Sequence, residues 1–241
     1  MQGTQHEFIA GVMDGAGMQH NDPPFDFNPA MEPLVQETDT FSFERELHSL
    51  GYLGVAGIDE VGRGPLAGPV VAASVILPRG CDYTQFQDSK KLSPDRRERL
   101  ADVLREIGAT IGIGLVSEQK IDRINILQAS LLAMKKSMEG LAERPDFLLV
   151  DGKFPVPVDL PQRFLIKGES RSASIAAASI IAKVTRDDLM RQYHHQYPHY
   201  AFNKNMGYPT LEHRQALAVH GPCPLHRRSF SGVKEFFCDE L

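Results

Sequence analysis

Gly54-Val-Ala-Gly-Ile-Asp-Glu-Val-Gly-Arg-Gly-Pro-Leu-Ala-Gly-Pro69 sets an apolar run, two adjacent acids and a turn of glycines and prolines end to end. Val55–Val61 reads as a strand, because small and β-branched apolar residues dominate it and glycine and proline close it. Pro69–Leu77 reads as the next strand, returning as the second arm of a hairpin. Asp59 and Glu60 therefore emerge at a strand end. Adjacent residues on a strand point to opposite faces, so both acids reach one site only through a bend or twist. A glycine turn offers bare N–H groups and close approach to whatever the acids hold. This pattern suits a divalent-metal site handling a phosphate-bearing substrate; the plainer reading is an acidic strand end before an ordinary turn.

Outward from this stretch, Thr110–Val116 alternates Ile and Gly as a third strand, and the wholly apolar Phe147–Val150 reads as a buried fourth. Arg163–Ile166 makes a fifth. Helices are expected over Phe41–Leu50 with Gly51 as stop, over Pro94–Glu106 with Ser93 as cap, and over Ser117–Ile121 continued by Ile126–Leu141. The longest helical segment runs from Ser170 to about His195. Its first half is small and apolar nearly all round, the mark of tight packing on a sheet. Thr210–Val219 is the last clear helix, and the remainder reads as loop. Strands one to three are meander-like, whereas strands four and five are expected to follow helices. The fold class is α/β, a mixed central sheet of about five strands flanked by helices.

Composition sets the outer bounds. The chain has 241 residues, 42% hydrophobic and 24% charged, with no apolar stretch of membrane-spanning length and no secretory leader pattern. Three cysteines, Cys81, Cys223 and Cys238, form no C-x-x-C pair, which points to a reducing cytoplasmic setting and away from a disulfide framework or structural zinc. Residues 1–43 hold seven of the 31 acids and no Lys or Arg. They are read as a disordered acidic extension, with residues 44–241 as one domain. That body carries 26 basic against 24 acidic residues, although the whole chain is at −5. Residues 160–237 hold eleven Lys or Arg against five acids, a bias that can follow a phosphate backbone.

Asp151 ends the buried run Phe147–Val150, where a charge needs a cation or donors unless it merely opens an Asp-Gly turn. Asp187 and Asp188 sit in the charged half of the long helix, and helical spacing alone does not choose between them or exclude a solvated face. Acids from two strand ends and one packing helix can converge on a point. Hard oxygen ligands in such number suit Mg²⁺ or Mn²⁺ and metal-dependent phosphodiester hydrolysis.

Five motifs in order, Gly57-Ile-Asp-Glu-Val-Gly-Arg-Gly-Pro-Leu-Ala-Gly-Pro69, Asp88-Ser-Lys-Lys-Leu92, Val150-Asp-Gly152, Ala177-Ala-Ser-Ile-Ile-Ala-Lys-Val-Thr-Arg-Asp187 and Gly207-Tyr-Pro-Thr210, resemble ribonuclease HII from about residue 52 to 230. The resemblance implies an RNase H-like fold with a small helical C-terminal portion, about 197–241. It implies a cytoplasmic, monomeric endoribonuclease acting on RNA–DNA hybrids and on single ribonucleotides in duplex DNA, with Mn²⁺ or Mg²⁺ as cofactor. By position it makes Asp59, Glu60 and Asp151 the metal-binding acids and Asp187 the fourth active-site acid. Gly62, Arg63 and Gly64 match the segment whose backbone reads the ribose 2′-hydroxyl, and Tyr208 the tyrosine that packs on the sugar. Lys90, Lys91, Lys167, Ser170 and Lys183 are candidate phosphate contacts, or plain surface lysines and a cap serine. Glu169 departs from the aspartate expected in its loop. His226-Arg-Arg-Ser-Phe230 fits a basic loop beside nucleic acid or an ordinary surface loop.

Overall fold

Val55–Val61 forms β1 and Val70–Ile76 forms β2, an antiparallel pair joined through the glycine turn. The structure, a computed structural model, describes the backbone of residues 39–240; most of the expected acidic extension, residues 1–38, lies outside the described residues. Thr110–Val116 forms β3, antiparallel to β2. Phe147–Asp151 forms β4, parallel to β1, and Gln162–Leu165 forms β5, parallel to β4. The sheet order is β3-β2-β1-β4-β5, the mixed five-stranded sheet that the sequence suggests.

One expected connection differs. No helix lies between β4 and β5, because Pro155, Pro157 and Pro161 deny that link the N–H groups a helix needs. The Gln162 side chain pins this link instead, accepting from Val156 N at 2.9 Å and donating to Val156 O at 3.1 Å.

Helices cover both faces. On one lies α4, Ala173–Gln196; on the other lies α3, Glu118–Glu139. α3 breaks at Asn125, whose φ of 63° is non-helical and whose Oδ1 accepts from Gln128 N to restart the helix, at the interruption seen in the sequence. α4 starts at Ala173, after a 3-10 turn over Gly168–Ser170, because Ser172 Oγ caps it by accepting from Ile175 N. α2, Pro94–Glu106, packs through Leu100 and Leu104 on the outer side of α4. α1, Ser42–Ser49, is tied to the start of α4 by buried Glu44, which accepts from Ser172 Oγ, Ser174 N and Ser174 Oγ. Burial holds that carboxyl above its ordinary range. Phe41 and Phe43 are buried beside it, so chain before residue 44 already packs in the body. The C-terminal portion adds α5, Phe202–Asn205, and α6, Leu211–His220, around a core that includes Leu66 and Ala67 of the glycine turn.

Close helix–sheet approach explains the small residues. A Cβ on Gly57 would lie 2.1 Å from the Ser174 carbonyl carbon, and one on Gly114 would lie 2.0 Å from Ala133 O. The alternating glycines of β3 are thus the bed of α3, and Gly57 is the bed of α4. Gly57→Ala is expected to lower stability by about 3 kcal/mol, since backbone rather than a flexible side chain must move. Chemical denaturation checks this; an unchanged midpoint would show that α4 does not seat on Gly57.

Candidate active site

The parallel register decides which acids meet. Ile58 pairs with Val150, so the next residues, Asp59 and Asp151, lie side by side where the pairing of β1 with β4 ends. Asp151 in turn pairs with Leu165 at the end of β5. Four residues on, the 3-10 turn carries Glu169 back over the same edge. Carboxylate oxygens of Asp59, Asp151 and Glu169 all lie within 4.8 Å of one another. Open α/β sheets gather their sites at these carboxyl ends.

Fixed groups orient the three acids. Glu60 N donates to Asp59 Oδ1 at 2.7 Å, and Ser179 of α4 also bonds this carboxyl. Gly168 N donates to Asp151 Oδ1 at 2.7 Å, an approach that depends on Gly168, where a Cβ would fall 2.6 Å from Ile175 Cδ1. Lys90 Nζ donates to Glu169 Oε1 at 2.5 Å. Burial, then the Glu60 and Asp151 charges, hold the Asp59 carboxyl well above its usual range. Three hard oxygen donors gathered this closely, with Asp59 buried among neighbouring negative charges, fit a divalent cation, which would relieve that repulsion.

Glu60 stands apart from this trio. β1 runs straight through Val61, so the alternation of the strand turns Asp59 toward α4 with Gly57 and turns Glu60 to the other face. Glu60 is paired with Arg63 Nη1 at 3.2 Å. Burial raises its carboxyl, Arg63 opposes that, and the Asp151 charge adds to the rise, so Glu60 borders the site electrically.

Asp187, expected as the fourth acid, is not brought to the cluster. It sits two turns along α4 beyond Ser179, about 12 Å at helical rise, and is held by Lys183 at 2.7 Å and Arg97 at 3.8 Å. Glu169 occupies that place instead, an acid the sequence reading noted only as a departure. Its turn follows a strand that ends beside Asp151, a neighbourhood that only the parallel register of β4 and β5 creates. Asp188 is exposed and paired with Arg191.

The basic candidates divide. Lys90 is committed to Glu169 and Lys183 to Asp187. Lys91 and Ser170 line a cleft of about 220 Å³ beside Glu169, with Ser170 Oγ donating to Lys167 O at 2.9 Å. Lys167 is exposed, in a left-handed conformation at φ 56°.

Gly62, Arg63 and Gly64 follow β1 directly, and Tyr208 lies above them, 3.7 Å from where a Cβ on Gly64 would sit. Tyr208 is 40% exposed. Two arginines that sequence reasoning missed hold this turn from behind. Arg186 of α4 donates to the carbonyls of Pro69, Ala67 and Met206 at 2.9 to 3.1 Å. Arg227 donates to those of Gly62, Arg63 and Gly68 at 2.6 to 3.0 Å. Both are wholly buried, so His226-Arg-Arg-Ser-Phe230 is no plain surface loop. Burial pushes Arg186 down to about 10 and Arg227 to about 9, and both stay charged at neutral pH.

Known proteins resemble this chain in sequence and fold. A family model described as Ribonuclease HII matches residues 56–233. The ribonuclease HII of Desulfotalea psychrophila is 63% identical over 214 residues, covering 88% of this chain and 94% of that protein. The ribonuclease H2 of Pyrococcus horikoshii OT3 superposes with a TM-score of 0.64 at 25% identity, over 76% of this chain and 97% of that one. Bst-RNase HIII, solved in complex with Mn²⁺, shares the fold with a TM-score of 0.59 at 21% identity, over 80% and 71% of the two chains.

The raised Asp59 carboxyl fixes the sign of a pH effect. The metal-free folded state retains a proton that the unfolded chain releases from about pH 4 upward, so this acid subtracts stability as pH rises through its folded value. Asp59→Asn is therefore expected to stabilise the metal-free protein at neutral pH by about 1 kcal/mol, or about 2–4 °C in Tm, with the gain fading on acidification toward pH 4. Melting curves in chelator across pH check it; an Asn variant less stable than the parent at neutral pH would contradict the assignment.

Proposed function

The chain belongs to the ribonuclease HII family and is a ribonuclease H, and on that premise we propose that it hydrolyses the phosphodiester on the 5′ side of a ribonucleotide. The substrates on this reading are RNA–DNA hybrids and duplex DNA carrying a single ribonucleotide, and the products carry 3′-hydroxyl and 5′-phosphate ends. The observation that supports it most is the adjacency of two elements. Asp59, Asp151 and Glu169 converge where two parallel strands part, and Gly62-Arg63-Gly64 follows the first of those strands directly, with two residues between Asp59 and Gly62.

Mg²⁺ or Mn²⁺ held by Asp59, Asp151 and Glu169, when bound, supplies charge neutralisation at the phosphate and an acidified water. Glu60 adds negative potential beside these ligands, and on this reading Glu169 rather than Asp187 completes the acid set. Lys90, now on Glu169, is placed to exchange that partner for a substrate phosphate. Lys91 and Ser170 line the cleft beside Glu169, and Lys167 is exposed two residues before it, where the flanking backbone would pass.

Backbone N–H groups of Gly62, Arg63 and Gly64 donate to no group among the described residues, which suits them to donate to a ribose hydroxyl oxygen. Tyr208 offers a ring face to the sugar beside them. No helix among the described residues is long and apolar enough to cross a membrane, and the reading places the enzyme in the cytoplasm as a monomer.

The test is a labelled DNA duplex containing one ribonucleotide, incubated with Mg²⁺ or Mn²⁺. A single nick 5′ to the ribonucleotide is expected, and Asp151→Asn should lower the rate about 10³-fold while preserving the melting profile. Equal cutting of an all-DNA duplex, or no nick with either metal, would contradict the reading.

A further inference from the structure

His226 and Arg227 lie next to each other, yet each reaches a different part of the surface assigned above to ribose. Arg227 spans three carbonyls with its guanidinium fork: Nη2 to Gly62 O at 2.6 Å and to Gly68 O at 2.8 Å, Nη1 to Arg63 O at 3.0 Å, and Nε to Gly68 O at 3.0 Å. His226 Nε2 meets His213 Nε2 at 3.0 Å, and His213 Nδ1 meets Tyr208 O at 2.9 Å. One imidazole must donate and the other accept across the pair, so both rings are locked in orientation.

The dipeptide is itself immobilised from several sides. Ala67 and His226 form a bridge, and Arg227 N donates to Leu66 O at 2.8 Å. Asp122 of α3 receives Arg228 N and Ser229 N, each at 2.9 Å, and Arg227 lies over the Phe230 ring at 4.9 Å. Neither Arg186 nor Arg227 has a carboxylate within 4.0 Å among the described residues. Their hydrogen bonds all go to carbonyl oxygens, with the carboxylates of Asp187, Glu118 and Asp122 acting only from farther away. Turning the carbonyls of Gly62 and Arg63 inward aims the intervening N–H groups the other way, toward solvent and substrate.

Space on the inner side is equally constrained. A Cβ on Gly62, at φ 94°, would fall 2.3 Å from Arg186 Nε, and one on Gly207, at φ 82°, would fall 2.5 Å from Ala67 O. Gly62 is therefore required by Arg186 packed behind it as much as by a ligand in front, and Gly207 by the close approach of Ala67.

We propose that the buried His226-Arg227 dipeptide, braced by Arg186, is the positioning element for ribose selection, holding the Gly62–Gly64 backbone and Tyr208 in a fixed mutual arrangement. This rests on the reading of Gly62–Gly64 and Tyr208 as the ribose contact. Lysine cannot replace Arg227 here, because one ammonium on a thinner stem cannot span three carbonyls in a plane.

The experiment measures equilibrium binding by the Asp151→Asn protein, in Mg²⁺, of a duplex carrying one ribonucleotide and of the matched all-DNA duplex. The parent is expected to prefer the first. Adding Arg227→Lys should cut that preference about tenfold or more while leaving all-DNA binding unchanged, a pattern that general loss of stability does not produce. Preference retained in a folded Arg227→Lys protein would overturn the proposal. Should that variant fail to fold, Arg186→Lys carries the same expectation and the same contrary outcome. A parent without any preference would refute the ribose-contact reading itself, and the two failures are thereby told apart.

Discussion

The structure depends on the parallel pairing of β1 with β4. That pairing sets Ile58 against Val150 and leaves Asp59 and Asp151 as the next residues on adjacent strands. Two carboxylates so placed repel each other in a site that burial makes weakly polarisable, and Glu169 adds a third from the turn after β5. A packed core does not tolerate that arrangement without compensation. Lys90 supplies part of it at Glu169, and Ser179 and two backbone N–H groups supply hydrogen bonds. What remains uncompensated, the raised Asp59 carboxyl, is what a divalent cation would satisfy.

A second constraint keeps recognition next to chemistry. The residues after Asp59 and Glu60 form the glycine turn, and the body behind it is built from α4 and the C-terminal portion. Arg186 reaches it from α4, which about two turns earlier brings Ser179 to Asp59. Arg227 reaches it from the C-terminal segment, whose His226 leads through His213 to Tyr208. Acids and turn therefore share one scaffold, and a shift of α4 would disturb both.

Much of this was legible in the sequence, and the limits have physical causes. Val55–Val61, Thr110–Val116 and Phe147–Val150 announce strands by composition, so Asp59 and Asp151 could be placed at strand ends without coordinates. Parallel register could not be read, since nothing local distinguishes a parallel from an antiparallel partner for a short apolar run. Glu169 was missed for that reason: its approach depends on β5 lying beside β4 with the same direction. Asp187 drew attention because an acid on a long packing helix can face a sheet, but helical rise carries it past the strand ends to Lys183 and Arg97. Arg227 read as a surface residue because arginine is seldom wholly buried. The glycines of the turn were the available clue, since glycine is required where something packs close behind the backbone as well as where a ligand approaches in front.

Mn²⁺ binding by Glu169→Gln and Asp187→Asn, compared with the parent by calorimetry at neutral pH, tests the central claim most directly. If the sheet register gathers Asp59, Asp151 and Glu169 into the metal site, Glu169→Gln weakens binding about tenfold or more and Asp187→Asn leaves it near the parent's. The reverse order, with Asp187→Asn impaired and Glu169→Gln unaffected, would contradict it.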